Sequence, residues 1–457
     1  MIRIFTKCIT FVLVFIMNLI FDFYIPDLFA RSENNLTLDM GASNVVVEED
    51  NYQIDLDLEY VIQEAINSNP GILATGQRWE AAKKRIKIAT SLDDPTLKVG
   101  KMNARGNPFN FGSEPVSDAR IMSPTTFGIA QKIPFPGKLK LRGKVASEAA
   151  QMEKRVMEGK VQQIIADVKL AYYELFWIHK SIEINEENRN LLKNFTEIAE
   201  SMYSVGKVSQ RDVLAAMVEL SKSVNEITVL NQKRWSSESR LNNLLNRKPG
   251  SSLGRPKDFK KHRMLFTYNE LEEIALKKRP VFLRSKHAVR KNRFNLDLAK
   301  KDYFSDFTAM IEYRRIDDSP SDTWASSLTI NIPWLWSKQR YKVKEAKDEL
   351  SAAIADTEAV NNQTIFEVRD LVSRLIAAES TVNLFKTSVI PQANQSLDAA
   401  RVGYETGTVD FLTLIDSQRT LLDAKLQYYK ALTEYEQNLA RMERVVGVEL
   451  VKKEGQT

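Results

Sequence analysis

The chain contains few of the residues that interrupt long helices or build catalytic sites. Its 457 residues include 17 glycines and 14 prolines, so we expect long uninterrupted elements rather than many short strands joined by turns. Cys8 is the single cysteine, which excludes a disulfide within the chain. The histidines His179, His262 and His287 stand far apart, and none has the spacing of a metal-ligand pair. These absences argue against a metal centre and against a thiol enzyme.

The charges are nearly balanced, and the sequence lacks a phosphate-binding loop. The 65 lysines and arginines are interleaved with 59 aspartates and glutamates, which leaves a net charge of +6. Such interleaving does not favour a nucleic-acid partner. No glycine-rich loop has the spacing that cradles a phosphate. We therefore expect no enzyme activity, no bound cofactor and no use of ATP, so that energy for any transport must come from a partner.

The first thirty residues have the pattern of a secretory signal peptide, predicted over 1–30. Arg3 and Lys7 provide a positive start, residues 8–21 are almost wholly apolar, and Ala30 provides a small residue for cleavage. An uncleaved membrane anchor is the alternative, because apolar residues continue beyond Asp22. No later stretch reaches the roughly eighteen apolar residues that a membrane helix needs.

The remaining chain divides into two similar units with polar segments around them. Residues 31–55 are polar and acidic and predict a loose N-terminal arm. The first unit is predicted over 56–247 and the second over 266–447, with a linker at 248–265 and a tail at 448–457.

The same features occur in the same order in both units, which indicates an internal duplication. In each unit a helix with a proline in it is followed by two runs of alternating apolar residues, and then by a very long helical stretch. The strand hairpins are predicted over 95–134 and 305–333. Equivalent positions are Val61, Ala65, Pro70 and Ala89 in the first unit and Leu271, Ala275, Pro280 and Ala299 in the second.

The long helical stretches require neighbours along their whole length. Residues 138–203 would span about 100 Å as a single helix. This length is several times that of an ordinary globular helix.

Four strands in one chain cannot close a barrel, and an open sheet edge cannot face lipid because its N–H and C=O groups would lack partners. Strands of about ten residues suit a membrane crossing, so several chains are expected to pool their strands. A small sheet in a soluble protein is the alternative. Aromatic residues at the strand ends favour an interfacial girdle: Phe109, Phe111, Phe127, Phe135, Tyr313, Trp324, Trp334 and Trp336.

An ordered double set of motifs identifies a family that the chain resembles. Across residues 56–447 it resembles the outer-membrane efflux proteins of the TolC type, and the segment Gln131–Lys138 is most similar to the heavy-metal efflux branch. The motifs are Ala65 with Asn69-Pro70, Ala275 with Arg279-Pro280, Asp94-Pro95, the Gln131–Lys138 segment, and the two turns Tyr203-x-x-Gly206 and Tyr404-x-x-Gly407. The second unit departs from the first in having Arg279 where Asn69 stands.

The resemblance implies a mainly α fold with a membrane β-barrel. Each chain would contribute two β-hairpins and long helices to a homotrimer with a 12-stranded β-barrel and a periplasmic α-helical barrel. The implied protein is a passive channel in the outer membrane of a Gram-negative-type bacterium, serving a tripartite efflux system or a type I secretion system. Implied partners are a periplasmic adaptor, an inner-membrane pump of the RND type, and outer-membrane lipid. A soluble periplasmic coiled-coil scaffold or adaptor without a membrane barrel is the alternative function.

The resemblance also implies roles for residues at the helix tips. Asp416 stands where the family has an acidic gate residue, and Thr413 stands where a second aspartate is found, so we expect a less acidic entrance ring. Asp212 and Tyr404 match a pair that latches the closed state. Val409 replaces the arginine of that latch, which removes an ion pair and weakens the latch. The implied adaptor contacts are Val205, Gly206, Lys207, Val208, Thr406, Gly407 and Thr408. Metal ions, drugs and secreted polypeptides all remain possible cargo.

Overall fold

A computed structural model describes residues 55–101, 124–264, 266–316, 322–332 and 337–450 of the chain. The predicted signal segment 1–30, nearly all of the arm 31–55, and the girdle residues Phe109, Phe111, Trp334 and Trp336 lie outside the described residues.

The first unit contains two short helices, two strands of a sheet and two long helices. Asp57 begins the first helix by accepting a hydrogen bond from the Tyr60 N–H at 3.3 Å. Asn69 begins the second in the same way, and Pro70 follows in its first turn, where a proline suits a helix. The elements are β1 (Asp55–Leu56), α1 (Leu58–Ser68), α2 (Pro70–Thr90), β2 (Thr96–Lys101), β3 (Pro124–Ile133), α3 (Lys138–Ser204) and α4 (Gln210–Leu244).

The second unit repeats this order, with one difference in its long helical stretch. Thr267 and Glu270 form a capping box at its first helix. A π-helical turn, Phe385–Val389, interrupts the stretch just before Pro391. The elements are β4 (Arg255–Pro256), α5 (Tyr268–Lys278), α6 (Pro280–Lys301), β5 (Phe307–Ile316), β6 (Thr323–Ile330), α7 (Ser337–Leu384), α8 (Ile390–Glu405) and α9 (Phe411–Val446).

The strands of the two units form one four-stranded antiparallel sheet in the order β2-β3-β5-β6. The two units meet at β3 and β5, where Phe127 lies opposite Tyr313 and Gly128 lies opposite Glu312. The last strand, β6, ends at Ile330. The alternating apolar pattern of the sequence extends to Ile332, two residues beyond the end of this strand. A separate parallel pair, β1 and β4, joins the two units near the long helices.

One face of the sheet is mostly apolar and exposed in the single chain. A row of Val99, Phe127, Tyr313 and Trp324 crosses this face at one end of the sheet. Large exposed apolar side chains of the strands all lie on this face: Leu97, Val99, Phe127, Ile129, Ile133, Ile311, Trp324, Leu328 and Ile330. A surface of this kind fits lipid rather than water.

The helix α3 has 67 residues, as the sequence predicts, and packs against α1, α2, α4, α6 and α9. The duplicated positions lie in equivalent cores, because Val61 and Ala65 are buried in one cluster while Leu271 and Ala275 are buried in another. A third cluster contains the tips of both units. Among the described helices, each is too short or too polar to cross a bilayer.

The segment Pro134–Lys138 fixes the passage from β3 into α3. Gly137 has a φ of +92°, which favours glycine, and Lys138 begins the helix. The Lys138 side chain is 5% exposed, and its Nζ donates to the Phe304 carbonyl and to Asp306 Oδ1, each at 2.9 Å. The Phe135 N–H donates to the same Asp306 oxygen at 2.9 Å. The motif therefore joins the first unit to the loop before β5.

Candidate functional site

Two turns of matching geometry form the tips of the long helices. Gly206 and Gly407 have φ values of +71° and +76°, a region that glycine adopts without strain. In the first turn the Lys207 N–H donates to the Met202 carbonyl at 2.9 Å. In the second turn the Thr408 N–H donates to the Gly403 carbonyl at 2.8 Å. Each turn satisfies carbonyl groups at the end of one helix and reverses the chain into the next.

The second tip has a capping residue that the sequence analysis missed. Asp410 begins α9, and its Oδ1 accepts hydrogen bonds from the Thr413 N–H at 3.0 Å and from the Thr413 hydroxyl. These bonds from Thr413 lower the pKa of Asp410. Thr413, predicted as a gate residue, is thus bound within its own tip. The Asp-x-x-Thr spacing before an apolar run is the sequence signal that could have identified this cap.

The two tips pack on one another through a shared apolar cluster. Tyr404 is buried and lies edge-to-face with Phe411, with ring centroids 5.4 Å apart. Phe195 and Ala216 of the first unit belong to the same cluster, and Val409 is packed against it. Val409 also lies against Gly403, where an added Cβ would meet Val409 Cγ2 at 2.9 Å. Position 409 therefore supports the core of the tip.

The predicted hydrogen bond between Tyr404 and Asp212 is not made in the single chain. The Tyr404 hydroxyl is buried and makes no hydrogen bond among the described residues. Asp212 instead accepts from the Ser209 hydroxyl at 3.2 Å, because Ser209 directly precedes α4. Burial raises the pKa of Tyr404 to about 12, and the negative charge of Asp212 adds to this effect. The expected bond is therefore absent in the single chain.

Asp416 lies on the exposed side of α9 and has a cation beside it. Its side chain is 75% exposed, and Arg419 Nη1 lies 3.5 Å from its carboxylate. Arg419 also donates to Glu219 Oε1 of α4 at 2.7 Å. The sequence analysis did not consider Arg419, although the three-residue spacing on a helix predicts the contact with Asp416.

The predicted adaptor-contact residues form the outer surface of the two turns. Val208 is half-buried, whereas the remaining six are exposed: Val205, Gly206, Lys207, Thr406, Gly407 and Thr408. Exposed apolar residues continue this surface along the adjoining helices at Leu214, Val402 and Leu412.

The three histidines lie in separate places. His262 is hydrogen bonded to Glu436 and His287 to Glu148. His179 is half-buried, and its partial removal from water lowers its pKa to about 4. Across the described part of the chain, no group of three or more histidine, cysteine, aspartate or glutamate residues could hold a metal ion.

Comparison with known proteins gives a family, several relatives and a fold. The model of the family described as outer membrane efflux protein matches residues 61–247 and 271–448. The cobalt-zinc-cadmium resistance protein CzcC of Cupriavidus metallidurans is 21% identical over 418 residues, which cover 90% of this chain and 94% of the relative. TolC of Escherichia coli K12 is 26% identical over 132 residues, 29% of this chain and 27% of the relative.

Solved structures show the same architecture across most of the chain. The outer membrane protein VceC of Vibrio cholerae has a TM-score of 0.74 and 17% identity, with 86% of this chain and 96% of that chain covered. A membrane protein of Pseudomonas aeruginosa has a TM-score of 0.76 and 16% identity, with 87% of this chain and 92% of that chain covered.

These matches decide between the two functions that the sequence left open. The family model matches both units of the chain, and several of the structures that share the fold are outer-membrane channels. The fold is that of a channel with a β-barrel in the membrane and an α-helical barrel beyond it, so a soluble scaffold is set aside. The sheet supplies the barrel strands, and the long helices supply the part that extends into the periplasm. The chain belongs to the outer membrane efflux protein family and forms an outer-membrane exit duct.

Proposed function

We propose that this channel expels divalent metal cations as the outer-membrane part of a homotrimeric duct served by a periplasmic adaptor and an RND-type inner-membrane pump. The similarity to a cobalt-zinc-cadmium resistance protein over 94% of that relative carries this proposal. Export energy comes from the pump, and the channel itself catalyses no reaction. The proposed organisation of the chain is a signal at 1–30, an arm at 31–55, two units at 56–247 and 266–447 joined by the linker 248–265, and a tail at 448–457.

The helix tips are the proposed docking site for the adaptor. Val205 in the first turn and Leu412 at the start of α9 are both exposed, and Lys207 adds a charge close to Val205. Exposed apolar residues at the end of a polar helical bundle are typical of a contact surface. Backbone hydrogen bonds close both turns and Asp410 caps the second, so the tips can present these side chains with little loss of conformational entropy on binding.

The same tips contain the proposed gate and latch. Three copies of Asp416 around the entrance would attract cations, and each Arg419 would offset part of that charge. Asp212 and Tyr404 form the proposed latch of the closed trimer, in which the Tyr404 hydroxyl, without a partner among the described residues of the single chain, would donate to Asp212. Since Val409 provides no positive charge, this latch is weaker than one with an ion pair.

Removal of the protein tests the proposed cargo. A deletion strain is expected to stop growing at lower concentrations of cobalt, zinc or cadmium salts than the parent, and to contain more metal per cell at the same external concentration. Unchanged metal tolerance and unchanged cell metal in the deletion strain would contradict the cargo assignment.

Variants of the tip test the docking surface separately. The double variant Val205→Glu/Leu412→Glu should assemble as a trimer in the outer membrane but fail to restore metal tolerance, and cross-linking to the adaptor should be lost. Trp235→Glu, at an exposed position of α4 away from the tip, is the control and should restore tolerance fully. A double variant that restores tolerance would exclude these residues from docking.

Neutralising Asp416 should change the ion selectivity of the channel. Asp416→Ala removes three carboxylates from the trimer, so the permeability of K⁺ relative to Cl⁻ in planar bilayers should fall. Arg419→Gln should raise the same ratio, because it removes the cation beside Asp416. Both shifts should shrink at high salt, where screening is strong. Equal selectivity in all three proteins would remove Asp416 from the entrance.

A further inference from the structure

The face of the sheet opposite the apolar one carries a cluster of three charged side chains. Successive strand residues point to opposite faces, so Lys98, Gly128 and Glu312 share a face that does not contain Phe127 or Ile129. In a barrel whose apolar face meets lipid, this second face lines the aqueous lumen. Short or polar residues accompany the cluster there, including Thr126, Ala130, Thr308, Ala325 and Ser327.

The cluster spans three strands and is held in a defined geometry. Lys98 Nζ of β2 lies 3.1 Å from Glu312 Oε1, and Arg314 Nη2 of β5 lies 2.9 Å from Glu312 Oε2. Glu312 is 11% exposed at its side chain, whereas Lys98 is 64% exposed. The carboxylate is thus covered, and the cations are presented to the lumen.

Gly128 makes this arrangement possible. It lies in the register between Lys98 and Glu312, and it has no side chain to separate them. A Cβ at this position would meet Glu312 Cγ at 3.1 Å and Met310 Cε at 3.2 Å. The lysine therefore reaches across the glycine to a carboxylate that lies two strands away.

The cluster carries an excess of positive charge. Two cations and one carboxylate give each chain a net charge of +1 at this level, so three chains give +3. Lys132 lies on the same face further along β3, and Asp93 is 4.0 Å from it. The charge of the described lumenal face is therefore opposite in sign to that of the Asp416 carboxylates at the helix tips.

We propose that Lys98, Glu312 and Arg314 of the three chains form a ring in the barrel lumen that enriches small anions and disfavours cations. Such a ring raises the electrostatic barrier for free cations that cross the barrel section in either direction, and it determines selectivity within that section independently of the tips.

The width of the barrel sets the size of the effect. Twelve strands about 4.8 Å apart and tilted by about 40° enclose a barrel with a radius of roughly 12 Å. A ring charge of +3 at this distance should enrich chloride on the axis roughly threefold in 0.01 M salt, less than twofold in 0.1 M salt and not measurably in 1 M salt. Selectivity must therefore be measured in dilute salt.

A charge series in the assembled trimer tests the proposal. Lys98→Gln/Arg314→Gln changes the ring from +3 to −3, and Glu312→Gln changes it to +6. The permeability ratio of Cl⁻ to K⁺, from reversal potentials in planar bilayers, should follow the order Glu312→Gln, wild type, Lys98→Gln/Arg314→Gln. The order should disappear in 1 M KCl. Lys277→Gln, which removes an exposed lysine of α5, is the control and should match the wild type.

A second measurement separates a lost ring from a misfolded barrel. The chain has no cysteine beyond Cys8, so Lys98→Cys introduces a single thiol into residues 31–457. A positively charged, membrane-impermeant methanethiosulfonate reagent should restore the wild-type permeability ratio of Cl⁻ to K⁺. A negatively charged reagent should lower this ratio below that of the unmodified Lys98→Cys channel. Failure of both reagents to react, or equal ratios after both reactions, would overturn the proposal, as would a charge series without the stated order.

Discussion

Replacing Lys138 by methionine is expected to destabilise the assembled channel by about 3 kcal/mol or more, because it leaves a carboxylate without its cation in a largely buried site. Methionine preserves the length of the side chain, so the loss would not arise from an empty cavity. Asp306 would keep the bond from the Phe135 N–H alone. The fraction of heat-resistant trimer on gels and the midpoint of thermal unfolding both measure this loss.

Two further variants show whether the charge pair is responsible. Asp306→Asn should cost less than Lys138→Met, since the amide oxygen can still accept from the Phe135 N–H and Asp302 lies 3.5 Å from Lys138 Nζ. Lys140→Met, two residues along α3, is a control that should leave the midpoint nearly unchanged. A Lys138→Met channel as stable as the control would show that the junction does not depend on this ion pair.

Acid should weaken the same junction in the wild type. Burial works against the charged form of Asp306, but the bonds from Lys138 and the Phe135 N–H outweigh it, and the pKa of Asp306 is lowered. A carboxyl whose pKa is lower in the folded state contributes its full stability above about pH 5 and loses it as the pH falls through the lowered pKa. As the pH is lowered below about 5, the Asp306→Asn variant should therefore lose less of its free energy of unfolding than the wild type does.

Replacing Lys169 by methionine is the second substitution with a large expected effect. Lys169 of α3 and Glu443 of α9 are joined at 2.6 Å, and their side chains are 11% and 8% exposed. Glu443 also accepts from the Leu450 N–H at 3.0 Å. Loss of the lysine leaves this carboxylate buried without a cation, which typically costs about 3–5 kcal/mol. The midpoint of thermal unfolding should fall and α9 should exchange its amide hydrogens faster.

The double variant distinguishes the buried charge from simple loss of packing. Lys169→Met/Glu443→Gln removes both charges while the amide oxygen can still accept from the Leu450 N–H. Its free energy of unfolding should be higher than that of Lys169→Met alone, because no uncompensated charge remains. A double-mutant cycle gives the coupling between the two positions. Strictly additive losses would mean that the ion pair contributes little to the packing of α3 on α9.

Much of the fold could be predicted from local patterns. Helical spacing of apolar residues predicted α3, and alternation predicted strands at Leu97, Ile129, Ile311 and Leu328. The duplication was visible because proline, glycine and strand positions recur in one order. These features depend on residues close together in the chain. Each can therefore be recognised without knowledge of the partner elements.

The candidate site was only partly predictable, because only some of its contacts join residues that are close together in the chain. Gly206 and Gly407 were identified as parts of turns, and both have a positive φ, which glycine adopts without strain. Asp410 caps α9 by accepting from the Thr413 N–H, three residues further along the chain. Sequence analysis could have predicted this cap but missed it. The separation of Tyr404 from Asp212 could not be judged, because it depends on how closely the two tips approach each other, whereas the bond from Ser209 to Asp212 spans only three residues.

The sequence by itself determined the long helices, the doubled unit and the strand segments, since hydrophobic periodicity and turn residues act over a few neighbours. The tertiary structure decided that β3 of the first unit pairs with β5 of the second, that Lys138 binds Asp306, and that Lys98 reaches Glu312 across Gly128. Those contacts join residues more than 160 positions apart. Their partners are selected by packing and by the need to satisfy buried charges, and no local pattern encodes that selection.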